Sequence, residues 1–538
     1  MMNLAQRDRS LLVFLAAVLL LAAAASTLGC AGAGRSGGTT STRPAATQPP
    51  TSEAPITQRS AAAASTTQPP TTQAPAIPTS PQAKAGSAGI GDPYFPSLGN
   101  GGYDVQDYDL TLRIDPATDQ ITGTEVMDAL AVQDLSSFYL DLDGLTVAEA
   151  RMGGVAAPFT RQGNELQITC PAAVAKGARF AVTIAYSGAP MSFKTKIDVM
   201  GWQKTADGSF TLDEPEGTAT WFAVNDTPAD KATYTFHLTV PEAYTAVANG
   251  VLTSTVPGHG MLTFNWTMAE PMASYLAAVA VGKFTSETST SAGGVPIRNY
   301  YAPNIASKAH TAFARIGDVV DYFTSVFGPY PFSVYGVVVP DANTGAAMEN
   351  QTMSLYGSDV VTRGMGFPTE AAIFLSHELA HQWFGDSVTI ERWDDIWLNE
   401  GFATYASWLW LEHDKGRSAL DDQVTSAKQS LANSILPPPG RPGVDFLFGA
   451  SVYYRGALTL HALRLTVGDD SFFRTLRAWA DRHKYGNVKT ADFVALAKEE
   501  APQIPAARLD ALFEAWLYGD KLPDLPAAHG AQSGTSGA

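Results

Sequence analysis

The sequence predicts an α+β chain with two folded regions, the first mostly antiparallel β and the second mostly helical. Three observations predict it. Apolar and polar residues alternate with period two, in runs separated by turn residues, through residues 91–286; the runs at 108–114, 180–184 and 234–240 are examples. Helix-length apolar patterns fill residues 287–526, at 309–327, 369–384, 398–414, 451–467 and 490–500, with a Pro-Pro-Pro-Gly loop at 437–440. Finally, 538 residues with 45% apolar and 16% charged content suffice for two or three domains around a large core.

The segments before the folded part read as an address and a tether. Arg7 and Arg9 precede an apolar run over residues 11–25, which is shorter than the about 20 residues a spanning helix needs. Charge, apolar run and small residues, in that order, form an export signal over residues 1–30. The run ends Ser26-Thr27-Leu28-Gly29-Cys30, which resembles a bacterial lipobox, so Cys30 is expected to carry lipid and anchor the chain to a membrane outside the cytoplasm. Residues 31–90 are mostly Ala, Thr, Ser, Pro, Gln and Gly, with no Phe, Trp, Tyr or Leu. Such a composition cannot offset the entropy of ordering and predicts a disordered tether. Residues 527–538 are expected to be a disordered tail.

Charge and cysteine content exclude several classes. The formal net charge is −17, and from Gly91 onward it is −21. That acidity argues against nucleic acid and against docking on anionic lipid through a basic face. With Cys30 lipidated, Cys170 stands alone and no disulfide forms. Nothing in the sequence calls for an obligate protein partner.

The chemistry concentrates in Ser376-His377-Glu378-Leu379-Ala380-His381. Four residues apart on a helix, His377 and His381 leave the same face one turn apart, giving two nitrogen ligands of a tetrahedral metal site. Glu378 sits beside them, placed to take a proton from a metal-activated water. A third ligand follows in Asn399-Glu400-Gly401, with 18 residues between His381 and Glu400. Two histidines and one glutamate with an open fourth position form the catalytic zinc pattern, one ion per chain. Cobalt or manganese would suit the same donors.

These motifs resemble the gluzincin metallopeptidases, and others narrow the resemblance to the aminopeptidase N and leukotriene hydrolase family. Ala346-Ala347-Met348-Glu349-Asn350 is similar to that family's G-x-M-E-N segment. Tyr453-Tyr454-Arg455-Gly456 is similar to its Y-x-K-G, and Glu214-Pro215-Glu216-Gly217-Thr218-Ala219 to its E-P-x-x-A. The resemblance spans about residues 100–525 and implies a β-saddle domain (91–286) followed by a thermolysin-like catalytic domain (287–526). A small sheet in the latter would carry the 346–350 edge.

The resemblance also implies roles. Tyr453 would donate a hydrogen bond to the oxyanion while Tyr454 packs. Glu214 and Glu349 would hold the substrate α-ammonium through charged hydrogen bonds, and residues 346–350 would line the substrate. Peptides with a free amino end are the expected substrates. Departures are Ala346 in place of glycine, Arg455 in place of lysine, and a chain that stops soon after residue 517, as in a short two-domain form with an open cleft. Three other readings compete: a zinc endopeptidase, an epoxide hydrolase, and a member that holds zinc or peptide without cutting. Intact His377, Glu378, His381, Glu400 and Tyr453 argue against the last.

Overall fold

In the computed structural model, residues 83–195, 199–432 and 436–528 are described. The export segment, Cys30, most of the tether and residues 529–538 lie outside them.

The first region is built on an eight-stranded sheet with strands in the order Val251–Gly258, Met261–Met272, Ala232–Pro241, Tyr103–Asp115, Gln120–Ala131, Arg179–Gly188, Thr146–Met152 and Val155–Ala156. Every pair in it is antiparallel except Ala232–Pro241 with Tyr103–Asp115, which run parallel. Alternation does what the sequence promises. Tyr108, Leu110, Leu112 and Ile114 point inward on one strand, and Tyr234, Phe236, Leu238 and Val240 on its parallel neighbour. Each large apolar side chain so buried contributes about 1.5–3 kcal/mol.

A four-stranded sheet contains Lys84–Ala85, Leu135–Asp141, Glu165–Val174 and Phe159–Gln162. Its first strand corrects the tether boundary at residue 90: Lys84 and Ala85 pair in parallel with Leu135 and Ser137. Main-chain hydrogen bonds, which need no apolar side chain, order this stretch, so composition could not reveal it. A third sheet includes Ser209–Leu212, buried along its whole length, and this strand delivers Asp213 and Glu214 to the face toward the second region.

The second region starts two residues earlier than the 286/287 boundary. Strand Thr285–Thr290 pairs with Pro296–Tyr301 and belongs to a five-stranded sheet with Tyr335–Val339, Ser354–Tyr356 and, at the edge, Ala347–Met348. The edge position expected for this segment is therefore occupied. Among the described residues the remainder is mainly helical, and no helix is long and apolar enough to cross a membrane.

Helix Trp397–Lys415 runs through the middle of this region; Trp397 to Leu411 are all buried, as an apolar run on every side of a helix requires. Helices Pro368–Ala380, Arg417–Ala432 and Gly456–Val467 pack around it. The predicted helix at 309–327 is broken into Ala306–Ala312 and Ile316–Phe327. The one at 451–467 starts instead with a π-helical turn, Ser451–Arg455, before the α-helix Gly456–Val467. Helices Arg417–Ala432 and Asp469–Arg482 have no counterpart in the sequence reading, although Leu420, Val424, Ala427 and Leu431 carry helical spacing.

Gly401 and Gly456 mark where two helices touch backbone to backbone: a Cβ on Gly456 would lie 2.9 Å from the Gly401 Cα. This crossing brings the Glu400 turn against the Tyr453 turn. Gly456→Ala is expected to lower stability by about 1–3 kcal/mol through overpacking, read by chemical denaturation. Wild-type stability would show that the crossing has slack.

Candidate active site

Helix Pro368–Ala380 opens on proline at its first position, where the missing N–H costs nothing. It ends one residue before His381, whose N–H still donates to the His377 carbonyl at 3.3 Å. The helical winding therefore reaches far enough to put both imidazoles on one side. Their Nε2 atoms lie 3.2 Å apart. Glu400 Oε2, from the first turn of Trp397–Lys415, lies 3.1 Å from His377 Nε2 and 3.5 Å from His381 Nε2.

These three separations fit a metal. Ligands held at 2.0–2.1 Å in a tetrahedron stand about 3.3 Å from one another. His381 Nδ1 donates to the Phe384 carbonyl at 3.1 Å, which leaves the Nε2 lone pair directed at the shared centre. Charge agrees with geometry. Burial works against a charged His381, yet Glu349 and Glu400 push its pKa up to about 10. Burial likewise opposes ionisation of Glu400, but the imidazoles hold it down to about 2. A pocket that draws a proton onto a buried imidazole is short of positive charge, and a divalent cation supplies it.

The sequence-predicted residues converge here. Glu378 is buried beside His377; burial first, then the charges of Glu349 and Glu400, raise its pKa well above the carboxylate range. One carboxylate oxygen each from Glu214, Glu349 and Glu400 lie within 4.8 Å of one another, although Glu214 belongs to the first region. Glu214 Oε1 and Glu349 Oε1 are buried without a hydrogen-bond partner. The Tyr453 ring stacks on His377, with centroids 5.9 Å apart and 21° between planes. Tyr454 is buried, as expected for the packing neighbour.

Two residues of the 346–350 segment face elsewhere than expected. Asn350 is fully buried and its Nδ2 donates to the Leu276 carbonyl at 3.2 Å, so its amide fastens the edge strand to the first region. The Met348 side chain is also buried, while Ala346 and Ala347 stay partly open. Only Ala347 and Met348 are in strand here, and Asn350 is turned inward by its bond to the Leu276 carbonyl. Arg455 has its own task. Its guanidinium donates to the carbonyls of Trp516 at 2.8 Å and Ala515 at 2.9 Å, pinning the final turn Glu514–Tyr518 to the Tyr453 turn.

Sequence reasoning missed the residues that steady the site. Gln382 donates to the Glu349 carbonyl at 3.0 Å and accepts from the Thr352 N–H at 2.8 Å, tying the histidine helix to the edge strand. It directly follows His381, which was its only sequence signal. Tyr275 of the first region accepts from Asn399 Nδ2 at 3.2 Å, one residue before Glu400. Lys231, also from the first region and half-buried, donates to the carbonyls of Asp386 and Ser387 at 2.7 and 3.1 Å. Nothing local in the sequence marks either of these.

Known proteins resemble this chain in sequence and fold. Residues 311–516 match the Peptidase family M1 domain and residues 105–276 the Peptidase M1 N-terminal domain. An M1 zinc metallopeptidase from Deinococcus radiodurans superposes with a TM-score of 0.75 at 31% identity, covering 82% of this chain and 100% of that one. This chain belongs to peptidase family M1. A mutant of the Deinococcus enzyme bound to a Tyr-Ser-Ala substrate superposes with a TM-score of 0.74 at 31% identity, over 81% of this chain and 99% of that one. Glutamyl aminopeptidase of Sus scrofa is 31% identical over 317 residues, covering 54% of this chain and 33% of its own length. Aminopeptidase N of Oryctolagus cuniculus is 30% identical, over 55% of this chain and 34% of its own length. The chain thus spans about a third of the length of the curated relatives it matches. The M1 cofactor is zinc, and the donor set here fits it.

Elemental analysis of the purified chain is expected to give one zinc per molecule. His381→Ala and Glu400→Ala should each lose it at micromolar chelator, whereas Tyr453→Phe should keep it. Zinc retained by both ligand variants would place the ion elsewhere.

Proposed function

We propose that this chain is a zinc aminopeptidase that removes residues from the free amino end of peptides. One observation carries the reading: Glu214 and Glu349, from different regions, bring buried carboxylate oxygens that lack a hydrogen-bond partner to the edge of the His377–His381–Glu400 centre, with Glu349 Oε1 3.7 Å from His381 Nδ1. Zinc, when bound there, supplies a Lewis acid and lowers the pKa of a water molecule.

The chain's own residues do the remainder. Glu378 takes the proton of the attacking water and passes it to the leaving amine, a role worth about 10²–10⁴-fold. Burial, followed by the charge of Glu400, holds the Tyr453 pKa well above its ordinary value, so its hydroxyl remains a donor at neutral pH. That donor faces the oxyanion that forms as water attacks. Glu214 and Glu349 take the substrate α-ammonium. An acylated amino end offers no cation and would leave both carboxylates dehydrated and unpaired. Edge strand Ala347–Met348 pairs with Ser354–Tyr356 on one side, and its other side suits main-chain bonds to an extended peptide.

The substrate-bound relative and the aminopeptidase names of the curated relatives support peptides as substrates. They also weigh against epoxide hydrolysis. We further infer export and lipid anchoring at Cys30, on the order of charge, apolar run and lipobox-like end in the sequence.

The test uses the full chain with two peptides, one with a free amino end and its N-acetylated twin, followed by mass spectrometry. Stepwise loss from the free peptide alone is expected, with Glu378→Gln slower by about 10²–10⁴-fold. Glu214→Gln and Glu349→Gln should mainly raise KM, by about tenfold or more each. Internal cleavage of both peptides would replace this reading with an endopeptidase.

A further inference from the structure

Residues 91–96, the stretch that leads out of the predicted tether, leave the first region and fasten to two separate segments of the second. Asp92 is buried and uses both carboxylate oxygens. One accepts from the N–H groups of Tyr94 at 2.8 Å and Phe95 at 3.0 Å; the other accepts from the N–H of Trp393 at 3.0 Å, 301 residues away. The Phe95 ring meets Trp393 edge-on at 6.0 Å, and Tyr275 meets the same indole at 5.1 Å. Two residues on from Asp92, the Tyr94 hydroxyl accepts from the N–H of Gly443 at 2.9 Å, 349 residues away. Gly443 has φ of 71°, so this N–H is presented by a backbone turn that favours glycine.

Both contacts lead to the chemistry. Trp393 opens the 3₁₀ turn Trp393–Asp395, which feeds directly into helix Trp397–Lys415, and Glu400 is in the first turn of that helix. Gly443 precedes the 3₁₀ turn Val444–Phe446, whose chain continues into the π-helical turn that carries Tyr453. A four-residue arm, 92–95, therefore touches the approach to a metal ligand and the approach to the oxyanion donor. A carboxylate only accepts hydrogen bonds, so Asp92 can serve three N–H donors at once, which no neutral side chain of its size does.

We propose that residues 92–95 form a strap of positioning residues: Asp92 sets Glu400 through Trp393, and Tyr94 sets Tyr453 through Gly443. The strap rests on the aminopeptidase reading for its purpose. Its geometry places the catalytic turns under the control of the segment that joins strand Lys84–Ala85 to strand Tyr103–Asp115. Active-site displacements of about 1 Å cost on the order of 10²-fold in rate, so small shifts of either turn are readable.

The test uses the full chain, with Tyr94→Phe, which removes one oxygen and keeps the ring, and Asp92→Ala. Zinc loss to a chelator, hydrogen–deuterium exchange by segment, melting temperature, kcat and KM are read for each. For Tyr94→Phe the expected result is wild-type zinc retention and melting, faster exchange confined to residues 443–455, and kcat down about tenfold at unchanged KM. For Asp92→Ala, zinc should leave about tenfold faster, with exchange raised in 393–400. Wild-type exchange and zinc retention in both variants would overturn the strap. So would a parallel loss of zinc, kcat and melting temperature in both, which is the mark of a merely structural role. Zinc and exchange are read without any substrate, so a wild-type chain that cuts neither peptide counts against the activity and leaves the strap testable.

Discussion

Uncompensated negative charge out of water is the constraint on which the rest of this molecule depends. Glu214, Glu349, Glu378, Glu400 and Asp386 are all buried around two imidazoles. Isolated, such groups resist ionisation, and burial is the leading cause of the raised pKa of Glu214, Glu349, Glu378 and Asp386. In the proposed function two cations relieve the strain at different moments: a metal held by His377, His381 and Glu400, and a substrate ammonium held by Glu214 and Glu349. On that proposal the site would select the amino end of a peptide by what it would otherwise leave unpaired.

The fold can be read as the means of holding those charges together. No single element carries them all. The histidine helix brings Glu378, the central helix Glu400, the end of the edge strand Glu349 and a loop of the first region Glu214, while the π-helical turn adds Tyr453 beside them. Close packing between Gly401 and Gly456 joins two of them, and Gln382 joins two more. The first region is more than a platform: Glu214, Tyr275 and Lys231 all reach across to the second region's side of the site. Clefts between domains suit substrate sites because each wall is rigid on its own.

What the sequence disclosed follows from what is local. The spacing of His377, Glu378 and His381 is a property of one helix, and alternation over 108–114 or 234–240 is a property of single strands, so both were legible. Glu400, Tyr453, Glu349 and Glu214 were recognisable because short motifs surround them. Contacts that close over long distances were not. Asp92 meets Trp393 across 301 residues, and Arg455 serves main-chain carbonyls that have no sequence signature. The order in residues 83–90 was hidden for the same reason, since it rests on main-chain pairing. Asn350 was placed with the substrate because its neighbours are there, and a distant main-chain acceptor, the Leu276 carbonyl, holds it inward.

The most direct test of the central claim is a crystal structure of the zinc-loaded Glu378→Gln chain with a short peptide bearing a free amino end. The α-ammonium should lie within hydrogen-bond reach of both Glu214 and Glu349, with the first peptide carbonyl toward Tyr453 and the peptide along Ala347–Met348. An amino end that passes those two carboxylates and continues beyond them would contradict the account, because the buried charge would then serve something other than the end of the chain.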